Sequence, residues 1–427
     1  MLTKANPEYR LDNYLTSVPN EARATINTAH NNTALKISER MASKRSEEAT
    51  RRLLDSKKLS LVVDLDQTII QATVEPTVAE WQKDPNHPNY PAVKDVQAFQ
   101  LNDDGPGMRG CWYYIKLRPG LLKFLEEASK LYELHVYTMG TRSYAQHVCQ
   151  IVDPQQKIFG DRILSRDESG SMQMKNLKRL FPVDTDMVVI IDDRADVWSW
   201  SPNLIKVLAY DFFVGIGDIN ASFLPKQNAI AKTKPAKVIA NGSKSETEND
   251  TISDENTPPS DLEAQLVAMA STANGTDFTA QTQEQESTIA SQLEDRPLLR
   301  KQEVLDQLAA EEANADNSDT SSEHSQHHRH NLLVDSDDEL KYLQEHLENV
   351  HTAFYQEFDQ RSKRIAAGRV AELRGDKGSP KKPQIVDDLS LVVPDVKTIM
   401  PSMKQQVLRG VVICFTGVIP QGHDHKK

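Results

Sequence analysis

The sequence lacks the long apolar segments found in membrane-spanning and exported proteins. Its longest apolar runs, at residues 59–63, 187–191 and 408–415, are shorter than the roughly 20 residues that a membrane-spanning helix requires. The stretch from Met1 to Pro7 has no apolar core of the kind found in a signal peptide. We therefore expect a soluble, intracellular protein that has no membrane partner.

Cysteine is also scarce. The three cysteines, Cys111, Cys149 and Cys414, are far apart and do not have the paired spacing of a zinc site or a disulfide framework. A cysteine-based phosphatase needs an arginine six residues after its nucleophile, and the sequence has no arginine at any of those three positions. These patterns weigh against zinc, disulfide and cysteine-nucleophile chemistry.

Aromatic residues are few, and the acidic residues are unevenly distributed. Aromatics make up 6% of the chain, and the mean hydropathy is −0.56. Residues 241–340 contain 23 acidic and 5 basic side chains, a net charge of −18, which leaves +6 on the rest of a chain whose total is −12. A mildly basic remainder suits a phosphorylated substrate. The polar segment 226–338 is predicted to be an acidic, disordered linker, because it cannot bury enough apolar area to offset chain entropy.

Short β-branched runs alternate with amphipathic stretches from Leu59 onward. The pattern predicts strands at 59–64, 133–138 and 187–191 and a helix at 120–131. This alternation is typical of an α/β fold with a parallel sheet covered by helices on both faces. A polar, Pro- and Asn-rich insertion at about residues 73–111 interrupts the rhythm and is a candidate cap or lid.

The chain divides into several predicted segments. Residues 1–50 form a partly helical extension, with a helix at 35–58, and residues 51–225 form the α/β domain. After the linker, apolar residues at steps of three and four predict an amphipathic helix within 339–375. We expect this helix to dock on the chain's own α/β domain, although partner binding is an alternative.

Two pairs of acidic residues carry the chemistry. Asp64 and Asp66 follow an apolar strand directly, and Asp192 and Asp193 follow another. Because the carboxyl ends of parallel strands form one ligand-binding edge, we expect the four carboxylates to meet. Such crowding is unfavourable without a cation, and all-oxygen ligation favours Mg²⁺. One carboxylate can then attack phosphorus while a second serves as general acid and base.

Four other side chains complete the predicted site. Thr68, in the Asp64–Thr68 run, and Thr138, at a third strand end, offer hydroxyls to a phosphoryl group. Lys175 would neutralise phosphate charge and keep the carboxylate nucleophile ionised. Arg118, in Lys116–Gly120, is a candidate for binding a second substrate phosphate through its planar fork.

Four blocks of sequence resemble a known family. They are 58–68, 137–145, 166–175 and 191–198, accompanied by the insertion run Trp81–Tyr90 and by 213–220. Together they resemble the haloacid dehalogenase superfamily and, more closely, the RNA polymerase II carboxy-terminal-domain phosphatases that associate with the general factor TFIIF. The resemblance covers about residues 50–225.

The resemblance implies a role for each matching residue. Asp64 would be the nucleophile and a metal ligand, and Asp66 the general acid and base, ligating metal through its backbone carbonyl. Asp192 and Asp193 would be the metal-side acids. Phosphate binding is assigned to the following residues: Thr68, Arg118, Thr138, Lys175 and Arg194.

The resemblance also implies a substrate, partners and a location. The substrate would be phosphoserine in the heptad repeats of the polymerase tail, with Mg²⁺ as cofactor, TFIIF as a partner, no direct nucleic-acid contact and nuclear localisation. Residues 395–427, with a strand-like run at 407–415, resemble the incomplete start of a BRCT module. Two alternatives stay open: a small-molecule phosphatase or phosphotransferase on the same fold, and a non-catalytic scaffold.

Overall fold

A computed structural model describes most of the chain. The described residues are 24–27, 36–101, 110–169, 171, 173–222, 224, 276–316, 331–373, 392–407 and 409–412. Within them, no helix is both long enough and apolar enough to cross a membrane.

A five-stranded parallel sheet forms the centre of the fold. Its strands, in spatial order, are β10 (Leu204–Lys206), β9 (Val188–Asp192), β3 (Leu59–Val63), β7 (Tyr132–Tyr137) and β8 (Ile163–Leu164). Neighbouring residues of β3 belong to different apolar clusters: Leu61 and Val63 lie in one and Val62 in the other. Successive side chains of a strand point to opposite faces, so both faces of the sheet are covered, as the uninterrupted apolar strands predict.

Four helices flank the sheet, and the first two of them lie close to the helices predicted at 35–58 and 120–131. They are α1 (Glu39–Asp55), α4 (Leu121–Leu131), α5 (Arg142–Val152) and the short α6 (Arg166–Ser169). In α4, Leu121, Phe124, Leu125 and Ala128 are buried on one face. Thr141 caps the start of α5, and its hydroxyl accepts a hydrogen bond from the Tyr144 N–H. Before α1, strands β1 (Ala24–Asn27) and β2 (Lys36–Ser38) pair antiparallel.

The predicted insertion forms a small sheet of its own. Strands β4 (Ile70–Thr73), β5 (Gln97–Leu101) and β6 (Cys111–Leu117) pair antiparallel in the order β4-β6-β5, with helices α2 (Thr77–Lys83) and α3 (Tyr90–Val93) between β4 and β5. The inserted sheet therefore runs from Ile70 to Leu117, somewhat beyond the predicted bounds of about 73–111.

The prediction of a disordered linker across 226–338 is wrong for part of that segment. Residues 276–316 form two helices, α7 (Thr276–Asp295) and α8 (Pro297–Asp316). The carboxylate of Glu75, which is fully buried, accepts the N–H groups of Leu298 and Leu299 at 2.9 and 3.1 Å, at the start of α8. Residues 225–275 and 317–330 lie outside the described residues.

These two helices are stabilised by specific contacts rather than by composition. Leu298 is buried against Trp81 and Phe213, and the Gln292 side chain accepts a hydrogen bond from the Thr73 hydroxyl at 3.2 Å. The average composition of about a hundred residues does not reveal that a few side chains, such as Leu298 and Gln292, are buried. Residues 331–338 also belong to the described part of the linker, and Leu333 is buried in the apolar cluster that contains Leu298.

The long helix α9 (Glu339–Leu373) docks on the α/β domain. Leu340, Leu343, Leu347, Val350 and Phe354 are buried in the cluster that contains α4. The docking expected from the spacing of these apolar residues is therefore confirmed. Helix α10 (Val396–Val407) packs against α9. Val407 thus ends a helix instead of beginning a strand, and residues 413–427 of the BRCT-like segment lie outside the described residues.

Candidate active site

The register of the parallel sheet brings the acidic residues together. Val63 of β3 pairs with Val136 of β7 and with Ile191 of β9. Asp64 and Asp192 therefore emerge at the same edge of the sheet, which is the edge where α/β folds bind ligands. Asp64, Asp66, Thr138, Lys175, Asp192, Asp193 and Arg194 all line one narrow cavity there, of about 10 Å³.

Lys175 lies between the two strand ends. Its Nζ donates to Asp64 Oδ1 and to Asp192 Oδ2, each at 2.6 Å, and its side chain is 2% exposed. Burial lowers the pKa of this lysine, but the charges of Asp192 and Asp64 more than reverse that effect. The lysine is therefore a fixed positive charge at the centre of the site.

The loop that follows β3 fixes Asp64 from the other side. The Thr68 hydroxyl lies 3.3 Å from Asp64 Oδ2 and 3.2 Å from Asp193 Oδ1, and it accepts the Asp193 N–H at 3.0 Å. Gln67 has a φ of 57°, a left-handed conformation that is uncommon for a residue with a side chain. The hydroxyl of Thr68 thus links the nucleophile candidate to the second acidic pair.

The two acids of the first pair have different surroundings. Asp66 Oδ1 accepts the Tyr144 hydroxyl at 2.5 Å, and its Oδ2 accepts the Asn220 amide at 3.0 Å. Burial and the nearby charge of Asp218 raise the pKa of Asp66 well above its ordinary value. A carboxyl group with a raised pKa suits a general acid.

The second acidic pair is held by its own strand end. Asp192 Oδ2 accepts the Trp198 indole N–H at 2.8 Å, and Asp192 Oδ1 accepts the Arg194 N–H at 2.7 Å. Burial and the charge of Asp192 raise the pKa of Asp64 to about 7. Burial and the same charge raise the pKa of Asp193 well above its ordinary value. Crowding of this kind favours a bound cation, because a cation restores the charged forms.

The donor set fits a hard divalent ion. Carboxylate oxygens of Asp64, Asp192 and Asp193 all lie within 4.8 Å of one another, and all three residues are buried. Oxygen ligands in so small a space are what Mg²⁺ prefers. Among the described residues, the Asp66 carboxylate does not belong to this group.

The other three predicted phosphate-binding residues, like Lys175 and Thr68, have partners within the protein. Thr138 is buried, and its hydroxyl accepts the Gly140 N–H at 2.9 Å. Arg194 pairs with Asp196 at the edge of the cavity. Arg118 is fully buried and faces Thr68 and Asp337, so its guanidinium is directed to the protein itself.

Several site residues were missed by the sequence analysis. Tyr144, Asp218, Asn220 and Trp198 contact or face the acids, and all four lie within or beside runs that carry the family resemblance. The Gln285 side chain, in α7, donates through Nε2 to Asn220 Oδ1 at 3.4 Å and accepts a hydrogen bond from Arg166 through Oε1. It had no sequence signal, because it lies in a polar, Gln-rich segment.

Comparisons with known proteins match this architecture. The model for NLI interacting factor-like phosphatases matches residues 59–227. The chain is 40% identical over 421 residues to a Schizosaccharomyces pombe protein named as a phosphatase of the RNA polymerase II C-terminal domain, an alignment that covers 94% of this chain and 53% of that protein. The chain thus spans about half the length of that relative.

Two solved structures are similar over most of the chain. One is that of Fcp1, described as an essential RNA polymerase II CTD phosphatase, with a TM-score of 0.59, 39% identity, and coverage of 89% of this chain and 80% of that chain. The other is a variant of fission yeast Fcp1 bound to beryllium fluoride, with a TM-score of 0.60, 39% identity and the same coverage. The chain belongs to the family of RNA polymerase II C-terminal domain phosphatases.

Proposed function

We propose that the chain is a Mg²⁺-dependent protein serine/threonine phosphatase. Its substrate is phosphoserine in the heptad repeats of the C-terminal domain of the largest RNA polymerase II subunit. The observation that carries the proposal is the position of Asp64, whose two oxygens lie against Lys175 and Thr68 while Asp192 and Asp193 complete an oxygen cluster beside it. The family to which the chain belongs supports the choice of substrate.

The first step transfers the phosphoryl group to the protein. An Asp64 oxygen forms a bond to phosphorus while the bond between phosphorus and the serine oxygen breaks, and Asp66 gives its proton to that oxygen. Lys175 and Thr138, which line the cavity, bind and orient the phosphoryl oxygens. Thr68 assists them from beside the cavity, where its hydroxyl lies 3.3 Å from Asp64 Oδ2. The product is an aspartyl phosphate on Asp64.

The second step releases phosphate. The Asp66 carboxylate, now without its proton, takes a proton from a water molecule whose oxygen attacks phosphorus, and the bond to Asp64 breaks. Asp64, Asp192, Asp193 and the Asp66 carbonyl would hold Mg²⁺, and the ion would supply positive charge to stabilise the phosphoryl group. A fission yeast relative has been solved bound to beryllium fluoride, an analogue of a phosphoryl group, and this supports phosphoryl-transfer chemistry.

The experiment measures phosphate release from singly phosphorylated heptad peptides, with and without Mg²⁺. We expect turnover by the unmodified protein only with Mg²⁺, none by Asp64→Asn, and unchanged turnover by Asp55→Asn, since Asp55 is exposed at the end of α1. The melting temperature of Asp64→Asn should be nearly unchanged. Turnover retained in Asp64→Asn would rule out the mechanism, and faster release from sugar phosphates than from the peptides would overturn the substrate assignment.

The partner and location follow from the same family relationship. We propose nuclear localisation, association with TFIIF and no direct contact with nucleic acid, and we propose residues 395–427 as the start of a BRCT-like module. Co-precipitation of TFIIF with the tagged full chain from nuclear extract tests the partner. A tagged chain that is confined to the cytoplasm would contradict the location.

A further inference from the structure

The nucleophile loop is held from behind by one arginine. The Arg118 side chain is 0% exposed, and its Nη1 donates to the Thr68 carbonyl at 2.8 Å. The same Thr68 bonds Asp64 and Asp193 through its hydroxyl. Arg118 therefore contacts the nucleophile's hydrogen-bond partner, and it is not among the residues that line the cavity.

The counter-ion of Arg118 lies 219 residues later in the chain. Nε and Nη2 of Arg118 donate to the two carboxylate oxygens of Asp337, each at 2.8 Å. This is a planar two-point pair, the strongest geometry available to an arginine and a carboxylate. Asp337 lies just before α9, and its Oδ1 also accepts the Glu339 N–H at 3.2 Å at the start of that helix.

A second contact runs beside the first. Asp335 accepts the Tyr210 hydroxyl at 3.0 Å and pairs with the buried Lys116 at 3.1 Å. The Tyr210 N–H donates to the Gln67 carbonyl at 2.7 Å, and the Tyr210 ring lies 5.3 Å from the Arg118 guanidinium. The consecutive carbonyls of Gln67 and Thr68 are thus bound by Tyr210 and Arg118, two residues whose side chains contact Asp335 and Asp337.

This arrangement matters because the loop has an uncommon backbone. Gln67 is in the left-handed region, a conformation that persists only when surrounding contacts enforce it. The hydrogen bonds from Tyr210 and Arg118 are contacts of this kind. Without Asp337, Arg118 would be a buried charge with no ion-pair partner in the part of the chain that the structure describes, and it would no longer be fixed against Thr68.

We propose that Asp337 is a positioning residue for phosphoryl transfer. It acts through Arg118 to hold the Thr68 carbonyl, and thereby the Asp64 carboxylate, in the geometry for attack. Arg118 is a positioning residue as well, not a ligand of a substrate phosphate. Docking of α9 therefore completes an active site whose other residues lie far earlier in the chain. The inference rests on the proposed phosphatase activity.

The test compares Asp337→Asn with Asp338→Asn in the full chain. Asp338 is the adjacent, exposed acid and serves as the matched control. The substrates are a singly phosphorylated heptad peptide and p-nitrophenyl phosphate. Because a displacement of about 1 Å at a reacting group can cost on the order of 10²-fold in rate, we expect Asp337→Asn to lower kcat by roughly 10- to 100-fold on both substrates. KM should stay within about twofold, and Asp338→Asn should behave as the unmodified protein.

Two further measurements separate positioning from unfolding. Amide hydrogen exchange should rise at residues 64–70 in Asp337→Asn at a temperature where both variants are folded. The double variant Arg118→Met with Asp337→Leu leaves no unpaired buried charge, so it should fold, and it should still lose kcat on both substrates because Thr68 has lost its donor.

Other outcomes would overturn the inference. If Arg118 bound substrate phosphate, Asp337→Asn would free it and change KM for the peptide without lowering kcat on p-nitrophenyl phosphate. Equal kinetics of Asp337→Asn and Asp338→Asn would likewise refute the positioning role while leaving the proposed function intact. If the unmodified protein hydrolysed neither substrate, the proposed function itself would fail.

Discussion

Replacement of Lys175 by Met should destabilise the protein in a way that depends on pH. The lysine is buried and pairs with Asp64 and Asp192 at 2.6 Å each. Removal of one partner from a buried ion pair typically costs about 3–5 kcal/mol. Because this lysine serves two carboxylates that would then face each other, we expect a loss near the upper end, about 4–5 kcal/mol, at about pH 8.5.

The sign of the pH dependence follows from Asp64. Its pKa in the folded protein is already raised to about 7, mainly by burial, and Lys175 opposes that rise. Without the lysine the pKa rises further, and an acid with a raised pKa favours the folded state when protonated and loses that contribution as pH increases. The destabilisation by Lys175→Met should therefore be smallest near about pH 5.5 and largest near about pH 8.5.

Urea denaturation in the presence of EDTA measures this effect, since the chelator prevents a cation from replacing the lysine charge. Lys178→Met is the matched control, because Lys178 is exposed on the neighbouring 177–179 turn. A Lys175→Met protein as stable as the control at both pH values would refute the argument that this lysine neutralises the acidic cluster.

Three further predictions concern other contacts. Asn220→Ala removes a donor to Asp66 and should lower kcat by about tenfold on a phosphoserine peptide. The loss should be smaller on p-nitrophenyl phosphate, because its leaving group needs no proton. Equal losses of kcat on the two substrates would contradict the general-acid role of Asp66. Leu347→Ala, at a position 2% exposed, should lower the free energy of unfolding by about 2–5 kcal/mol in urea, whereas the exposed Leu122→Ala should not. Glu75→Gln should increase proteolysis within α7 and α8, because a neutral amide replaces the carboxylate at the start of α8. An unchanged cleavage pattern would show that this contact does not stabilise the two helices.

The sequence predicted the parts of the site that depend on strand ends. Asp64 and Asp192 each follow an uninterrupted apolar strand, and parallel pairing of such strands places the residues that follow them at one edge. Lys175 has no such local signal, because it does not follow an apolar strand. Its contacts depend on a loop whose path no periodicity encodes.

Residues contributed from distant segments were harder to predict. Gln285 and Asp337 lie in polar stretches where composition favours disorder, yet each contacts a residue at or next to the active site. Their ordering depends on docking against side chains such as Glu75 and Arg118, far earlier in the chain. Local pattern cannot reveal contacts of this range, because only the folded topology brings the partners together.

The covalent intermediate offers the most direct test of the mechanism. The protein is mixed with a singly phosphorylated heptad peptide and Mg²⁺, quenched in acid during turnover, and mapped by peptide mass spectrometry. A phosphoryl group on the carboxylate of Asp64 is the predicted result. A phosphoryl group on any other residue would contradict the assignment of Asp64 as the nucleophile.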